Sequence, residues 1–230
     1  MRGIHKSGAA GTFCLLLSGC QVTVGPTSDT PGFLEVEWQG AASDTIDALI
    51  EGVVIAQLRN TDGRPMNGRF IRFTALPLGE EQRPGVFLAP EGLTPNQPTV
   101  QILSDPSGIS VASVRLGTVP GQAGVWVTVF ELEEADTVFV EVLPGTAHQL
   151  QLQPRDTSIA LGGSFQVRYA LGDFYANPVE GSVALTGSGA ISLTGDTVTA
   201  TDVGTGAVLA VSDALRDSVD IQVTAASRRR

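Results

Sequence analysis

The chain contains two cysteines, Cys14 and Cys20. Of its residue types, cysteine has the strongest capacity for covalent chemistry. A cysteine thiolate is a good nucleophile. Cys20 follows Ser18 and Gly19, and small side chains at these positions let an extended segment fit a narrow peptidase groove. Cys20 is therefore the first candidate for a covalent modification.

The residues before Cys20 have the pattern of a secretory signal. Arg2 and Lys6 give a positive start, and an apolar run covers residues 9–17. This pattern predicts export of the chain. The run is far shorter than the roughly 20 residues that cross a bilayer, so we do not expect a retained transmembrane helix.

Residues 17–20 read Leu-Ser-Gly-Cys and resemble the lipobox of bacterial lipoproteins at every position. The resemblance implies diacylglycerol on the Cys20 sulfur and cleavage between Gly19 and Cys20. Two or more acyl chains give stable anchoring where one is marginal. Because Gln21 is not Asp, the resemblance also implies delivery to the outer membrane of a two-membrane bacterium, on its periplasmic or surface face. The alternative is an ordinary signal peptide and a freely secreted protein.

The charge balance excludes one class of partner. The chain has 24 acidic and 14 basic side chains and a net charge of −10, whereas nucleic-acid binding needs clustered Lys and Arg. We therefore expect no nucleic-acid partner. Removal of residues 1–19 takes away two of the 14 basic residues and no acidic one, so the exported chain is more acidic still. It also removes Cys14, and a lipid on Cys20 then leaves neither a disulfide nor a free thiol.

Beyond the signal, apolar residues alternate with polar ones in short runs that are separated by turn residues, which is the signature of β-strands. Residues 41–51 fit either one or two helical turns or the entry to a strand. The sequence predicts an all-β fold of two tandem immunoglobulin-like antiparallel β-sandwiches after a cleaved lipoprotein signal peptide. The predicted ranges are 1–19 for the signal, 20–32 for a flexible tether, 33–144 and 145–225 for the two domains, and 226–230 for a disordered basic tail.

An internal repeat supports two domains of one kind. The segment from Asp62 through Pro65 to Gly68 resembles the segment from Asp173 through Pro178 to Gly181, with Pro and Gly three residues apart both times. Head-to-tail duplication of a single domain type is the simplest explanation.

The repeats resemble bacterial immunoglobulin-like domains. Residues 53–129, with Asp62-Gly63, Pro65, Gly68 and the turn 105–108, are similar to the group found in invasin and intimin, and residues 150–207 are similar to the group 2 domains. The resemblance implies a stalk, spacer or adhesion role. The chain shows neither the outer-membrane barrel region nor the lectin-like domain of invasins, so the resemblance does not extend to host-cell invasion.

Catalytic chemistry lacks its usual parts. His148 is the one histidine after signal removal, and the chain has no Gly-x-Ser-x-Gly or His-Glu-x-x-His motif. We predict no catalytic residue, no cofactor and no enzyme activity. The acidic loop from Glu131 through Glu133 and Glu134 to Asp136 supplies the oxygen ligands that Ca²⁺ prefers, but its spacing is not that of a known calcium loop. We therefore predict a solvated acidic turn and no metal site.

The run of residues 125–130 has two different faces. Val125, Val127 and Val129 share one face, and Trp126 and Phe130 lie on the other. Either face suits a sandwich core, and the size of Trp126 favours its packing inside.

These features together predict a non-catalytic, lipid-anchored cell-envelope protein. Its immunoglobulin-like domains would act as a spacer or adhesion module, and its partner would be the membrane, bound through the N-terminal lipid. One alternative is a surface receptor for a protein or a glycan, which predicts exposed aromatic residues on a sheet face. Another is an accessory subunit of an envelope complex.

Overall fold

The computed structural model describes residues 29–130, 132, 135–155 and 157–226, in which all regular structure is β-strand. The prediction of an all-β fold is therefore confirmed. Gly19, Cys20, most of the tether and the Arg-rich end of the tail lie outside the described residues. Within those residues, no helix has the length and apolar character needed to span a membrane.

The first group of strands forms two main sheets that enclose one core. One sheet has the order β1-β3-β9-β7 and the other β2-β11-β10-β4-β8, while β5 and β6 form a small hairpin. The strands are β1 (Pro31–Trp38), β2 (Ser43–Thr45), β3 (Leu49–Asn60), β4 (Phe70–Ala75), β5 (Pro77–Leu78), β6 (Arg83–Pro84), β7 (Val86–Pro90), β8 (Thr99–Leu103), β9 (Ile109–Leu116), β10 (Gly121–Val129) and β11 (Ala135–Leu143).

The second group has its own core and the same plan. One sheet has the order β13-β20-β19-β16. The other side is formed by the two-stranded sheet β12-β15 and the three-stranded sheet β14-β18-β17. The strands are β12 (Gln149–Gln153), β13 (Thr157–Ala160), β14 (Ser164–Gln166), β15 (Arg168–Gly172), β16 (Ala184–Gly189), β17 (Ile191–Thr194), β18 (Thr197–Ala200), β19 (Gly204–Ser212) and β20 (Leu215–Thr224).

Both groups have the strand order of an immunoglobulin-like sandwich, in which strands A, B, E and D face strands G, F and C. In the first group β1, β3, β9 and β7 take the places of A, B, E and D. In each group a short strand, β2 or β13, crosses to the other sheet and pairs in parallel with the last strand. This pairing covers one end of the outer edge of the last strand, which would otherwise be open to pairing with another chain.

The segment 41–51 enters a strand instead of forming a helix. Residues 43–45 form β2, a turn follows, and β3 begins at Leu49. Backbone pairing explains this outcome, because β2 bonds to β11 and β3 pairs with both β1 and β9. A short amphipathic helix at this place would lose the backbone hydrogen bonds that β2 and β3 make to their neighbouring strands, and so short a helix has little stability of its own.

Candidate functional site

Three loops share one hydrogen-bonding design, which we call the Asx loop. In each, a side-chain oxygen of Asn or Asp accepts from the backbone N–H groups two and four residues further on, as in the turns that these residues favour. The acceptors are Asn60, from Asp62 and Arg64 at 3.0 and 2.8 Å, Asp105, from Ser107 and Ile109 at 2.8 Å each, and Asp173, from Tyr175 and Asn177 at 2.9 Å each.

The structure keeps the register of Pro65 on Pro178 that the sequence repeat has, because each proline bridges back to the strand before its loop. Asn60, and not Asp62, is the structural counterpart of Asp173, because each lies five residues before the proline that bridges back to the strand. Asp62 instead donates its backbone N–H to Asn60. Asn60 and Asp173 can fill the same position because the side-chain oxygens of Asn and Asp both accept these bonds.

The fourth position of each Asx loop has a left-handed backbone. Gly63 and Gly108 occupy it with φ of 78° and 76°, and Ala176 occupies it with φ of 65°. A residue with a Cβ in this region is strained by roughly 1–2 kcal/mol. Glycine avoids the strain, but it loses more backbone entropy on folding, which offsets part of the gain.

We therefore expect Ala176→Gly to stabilise the second sandwich by about 0.5–1 kcal/mol, measured by urea denaturation. Ala170→Gly is the matched control, because Ala170 is exposed within β15 and its replacement should destabilise by about 0.5–1 kcal/mol. A destabilising effect of both variants would contradict the assignment of strain to Ala176.

The third Asx loop does more than close a turn. Asp173 is completely buried, and its Oδ2 accepts from the Gly145 backbone N–H at 3.0 Å and from Asn177 Nδ2 at 2.8 Å. Asn177 Nδ2 also donates to the Thr118 carbonyl at 2.9 Å. Gly145 lies in the segment 144–148 between the two groups of strands, and Thr118 lies in the first group between β9 and β10. We call these four residues the junction.

The carboxylate at the junction is held in its charged form. Burial raises the pKa of Asp173, but hydrogen bonds from the Asn177 side chain and from the N–H groups of Gly145, Asn177 and Tyr175 together leave that pKa below its ordinary value. A charged acceptor makes stronger hydrogen bonds than a neutral one. The junction is therefore held by charge-assisted bonds at neutral pH.

Asp217 has a similar role within the second sandwich. Its Oδ2 accepts from the Leu152 N–H at 2.7 Å, and both oxygens bond to the Arg155 guanidinium at 2.8 Å. Burial raises the pKa of Asp217, and the bonds from Leu152, Arg155 and the Ser218 N–H outweigh that effect and lower it. This carboxylate ties β12 and the segment after it to β20.

The outer face of the sheet β2-β11-β10-β4-β8 carries exposed aromatic rings. Trp126 is 42% exposed and Phe70 is 60% exposed, whereas Val125, Val127 and Val129 are buried. The expectation that Trp126 packs in the core is wrong. The valines of β10 fill the interior against β4 and β11, so the alternation of side chains turns Trp126 outward.

A polar row crosses this face between the aromatic rings. Thr128, Arg72 and Gln101 lie directly opposite one another on β10, β4 and β8. With its amide oxygen turned toward Arg72, Gln101 accepts from Arg72 Nε at 3.2 Å and from Nη2 at 3.0 Å. We call the set Phe70, Arg72, Gln101, Trp126, Thr128 and Phe130 the aromatic face.

His148, the histidine weighed as a catalytic base, is part of a ring cluster. Its ring lies 5.5 Å from that of Phe174 in an edge-to-face arrangement, and Phe174 in turn lies 5.2 Å from Tyr175. Among the described residues, no three His, Cys, Asp or Glu side chains are placed to hold a metal ion. Glu131, Glu133 and Glu134 of the acidic loop lie outside those residues, so the solvated turn stays a prediction there.

Two sandwiches with this strand order, one after the other in the chain, give the protein the fold of a tandem immunoglobulin-like protein. No protein-family model matches the chain, and no curated protein matches it either. The strand order, and not overall similarity to any solved structure, carries this assignment.

Solved structures with a similar trace come from bacterial surface proteins. Domains 4 and 5 of the S-layer protein SbsC are 18% identical over 85% of this chain and 99% of that chain, with a TM-score of 0.35. The Escherichia coli adhesin FdeC is 15% identical over 83% and 64%, with a TM-score of 0.42. The D0-D1 domain of intimin is 16% identical over 84% and 98%, with a TM-score of 0.35. The chain spans 41% of the length of SbsC domains 1–6.

Proposed function

We propose that this protein is a non-catalytic, lipid-anchored component of the cell envelope, in which two immunoglobulin-like sandwiches form a stiff spacer that carries an adhesive surface away from the membrane. The junction is the observation that carries the spacer role. Its four residues connect the second sandwich both to the linking segment and to a loop of the first.

Stiffness at the junction has a physical cause. Two domains joined by a short segment move relative to each other unless specific contacts hold them. Here the buried Asp173 carboxylate fixes the link at Gly145, and the Asn177 amide, itself held by Asp173, reaches the Thr118 carbonyl. Each bond to the charged group contributes about 1.5–3 kcal/mol. Rotation of one sandwich against the other would break the bond from Asn177 to Thr118.

The anchor in this proposal is the lipid on Cys20. A positive start, an apolar run and the residues Leu-Ser-Gly before the cysteine support it. The outer membrane is the proposed location, with Gln21 in place of Asp as its support. An anchored spacer needs neither a catalytic residue nor a cofactor, which agrees with a sequence that contains no Gly-x-Ser-x-Gly or His-Glu-x-x-His motif.

Intact mass and membrane fractionation in an expressing bacterium test the anchor. We expect the wild-type protein to have the mass of residues 20–230 plus acyl chains and to sediment with membranes. Cys20→Ser should lose both properties, because serine oxygen is a poor replacement for the thiolate nucleophile. Cys14→Ser is the matched control and should keep both. An unmodified mass that begins at another residue would contradict the anchor.

A further inference from the structure

We infer that the aromatic face binds an anionic oligosaccharide, with sugar rings against Phe70 and Trp126 and a uronic acid carboxylate on Arg72. This inference goes beyond the spacer role, and it stands whether or not the lipid anchor or the stiff junction is correct.

The shape fits a sugar unit. A shallow groove of about 370 Å³ lies on this face and is lined by Gly68, Arg69, Phe70, Arg72, Gln101, Thr128 and Phe130. Trp126 lies just outside the groove, two residues before Thr128 on β10. This volume lies at the lower end of the range of small-ligand sites. The strands beneath the groove are paired on both sides at β4 and β10, so its floor is rigid.

The exposed rings are suited to sugars. Phe130 is 97% exposed and Phe70 is 60% exposed, and both line the groove. The C–H bonds on one face of a hexose carry partial positive charge, and the face of an aromatic ring carries negative charge. Stacking therefore adds electrostatic attraction to the burial of apolar surface.

The polar row lies where the hydroxyl groups of a stacked sugar need partners. Thr128, Arg72 and Gln101 form one row, with Trp126 and Thr74 in the row on one side and Phe70 and Leu103 in the row on the other. The two outer rows are four residues apart, or about 13 Å at the rise of a β-strand. An interface with a second copy of a protein has an apolar centre and a polar rim, whereas here the polar row is central.

Charge selects an anionic ligand. The chain as a whole has 24 acidic against 14 basic side chains, but the described part of the groove carries Arg69 and Arg72 and no acidic residue. Gln101 holds the Arg72 guanidinium on one edge, and among the described residues Arg72 makes no ion pair. A guanidinium held in this way offers its remaining N–H groups as a fork for a carboxylate. We therefore place the charged unit of the oligosaccharide on Arg72 and an uncharged sugar ring on Phe70.

Calorimetric titration of the purified full-length chain tests the inference, with tetragalacturonate and tetramannuronate as acidic probes and maltotetraose as the neutral one. We expect at least one acidic probe to bind, with about tenfold weaker binding for Trp126→Ala, Phe70→Ala and Arg72→Gln. Phe33→Ala, which removes an exposed ring from β1 on the other sheet, and Arg168→Gln in the second sandwich should bind as the wild type does. Binding of the acidic probe should also weaken as salt is raised.

Several results would overturn the inference. These are no binding of either acidic probe, equal binding of maltotetraose, or unchanged binding after the three substitutions on the aromatic face. Self-association in sedimentation velocity that Trp126→Ala abolishes, without any sugar binding, would instead assign the face to a second copy of the chain. The substituted side chains are exposed, so thermal unfolding should stay within a few degrees of wild type and separate lost binding from lost folding.

Discussion

Gly108→Ala is expected to destabilise the first sandwich by roughly 3 kcal/mol or more. The backbone at this position is left-handed, which disfavours any residue with a side chain, and the new Cβ would also collide with neighbouring atoms. Gly108 has a φ of 76°. A Cβ there would strike the Leu58 carbonyl oxygen and would approach the Met66 nitrogen to 3.0 Å. That oxygen accepts from the Met66 N–H, so the collision also disturbs the bond that closes the first Asx loop onto β3.

Gly63→Ala is the control for this prediction. Gly63 occupies the same position of its own Asx loop, with a φ of 78°, but a Cβ there would meet nothing within 4 Å. We expect a cost of about 1 kcal/mol from the backbone alone. Urea denaturation of both variants measures the difference. Equal losses of stability in the two variants would show that the structure around Gly108 shifts to accept the Cβ at no extra cost, and would contradict the prediction.

Asp173→Ala is expected to lower the free energy of unfolding of the second sandwich by about 3 kcal/mol, because it removes a buried charged acceptor and leaves several partly buried N–H groups without a partner. The lost bonds are those from Gly145, Tyr175 and Asn177, including the Asn177 side chain. Asp105→Ala removes the same turn bonds from an exposed Asx loop, and we expect it to cost about 1 kcal/mol.

The lowered pKa of Asp173 adds a pH dependence to this prediction. In the acid range the unfolded chain takes up a proton more readily than the folded chain, so stability rises with pH there. The contribution of Asp173 should be fully present above the ordinary Asp pKa of about 3.9 and should be lost as pH falls through the lowered folded value. Asp217 adds an effect of the same sign. Denaturation of Asp173→Ala should therefore depend less on pH below about 4 than that of wild type, and an identical dependence would contradict the assignment.

The strands were predictable from the sequence, and the inner face of β10 was not. Alternation in residues 125–130 sets two faces, but it does not say which one the core takes, and a tryptophan suits either. Packing decided the matter, because Val125, Val127 and Val129 lie against β4 and β11 and are buried. Exposed aromatic residues on a sheet face are what the sequence-based alternative of a surface receptor predicts, and Trp126 and Phe70 have that placement.

The junction could not be predicted from the sequence. Asn177 and Thr118 are 59 positions apart, and neither belongs to a motif with known spacing. The repeat that contains Asp173 was visible in the sequence, because Pro65 and Pro178 align. The hydrogen bonds of Asn60 and Asp173, five residues before these prolines, were not, because they depend on how each loop folds.

The distance between the two sandwiches tests the spacer role most directly. Spin labels at Glu35→Cys on β1 and Asp220→Cys on β20, both exposed, can be placed in a chain with Cys14→Ser and Cys20→Ser, which removes the native thiols. Pulsed electron spin resonance should give one narrow distance distribution for this protein, and Asp173→Ala should broaden it. A broad distribution that Asp173→Ala leaves unchanged would show that the junction does not hold the sandwiches together and would contradict the stiff spacer.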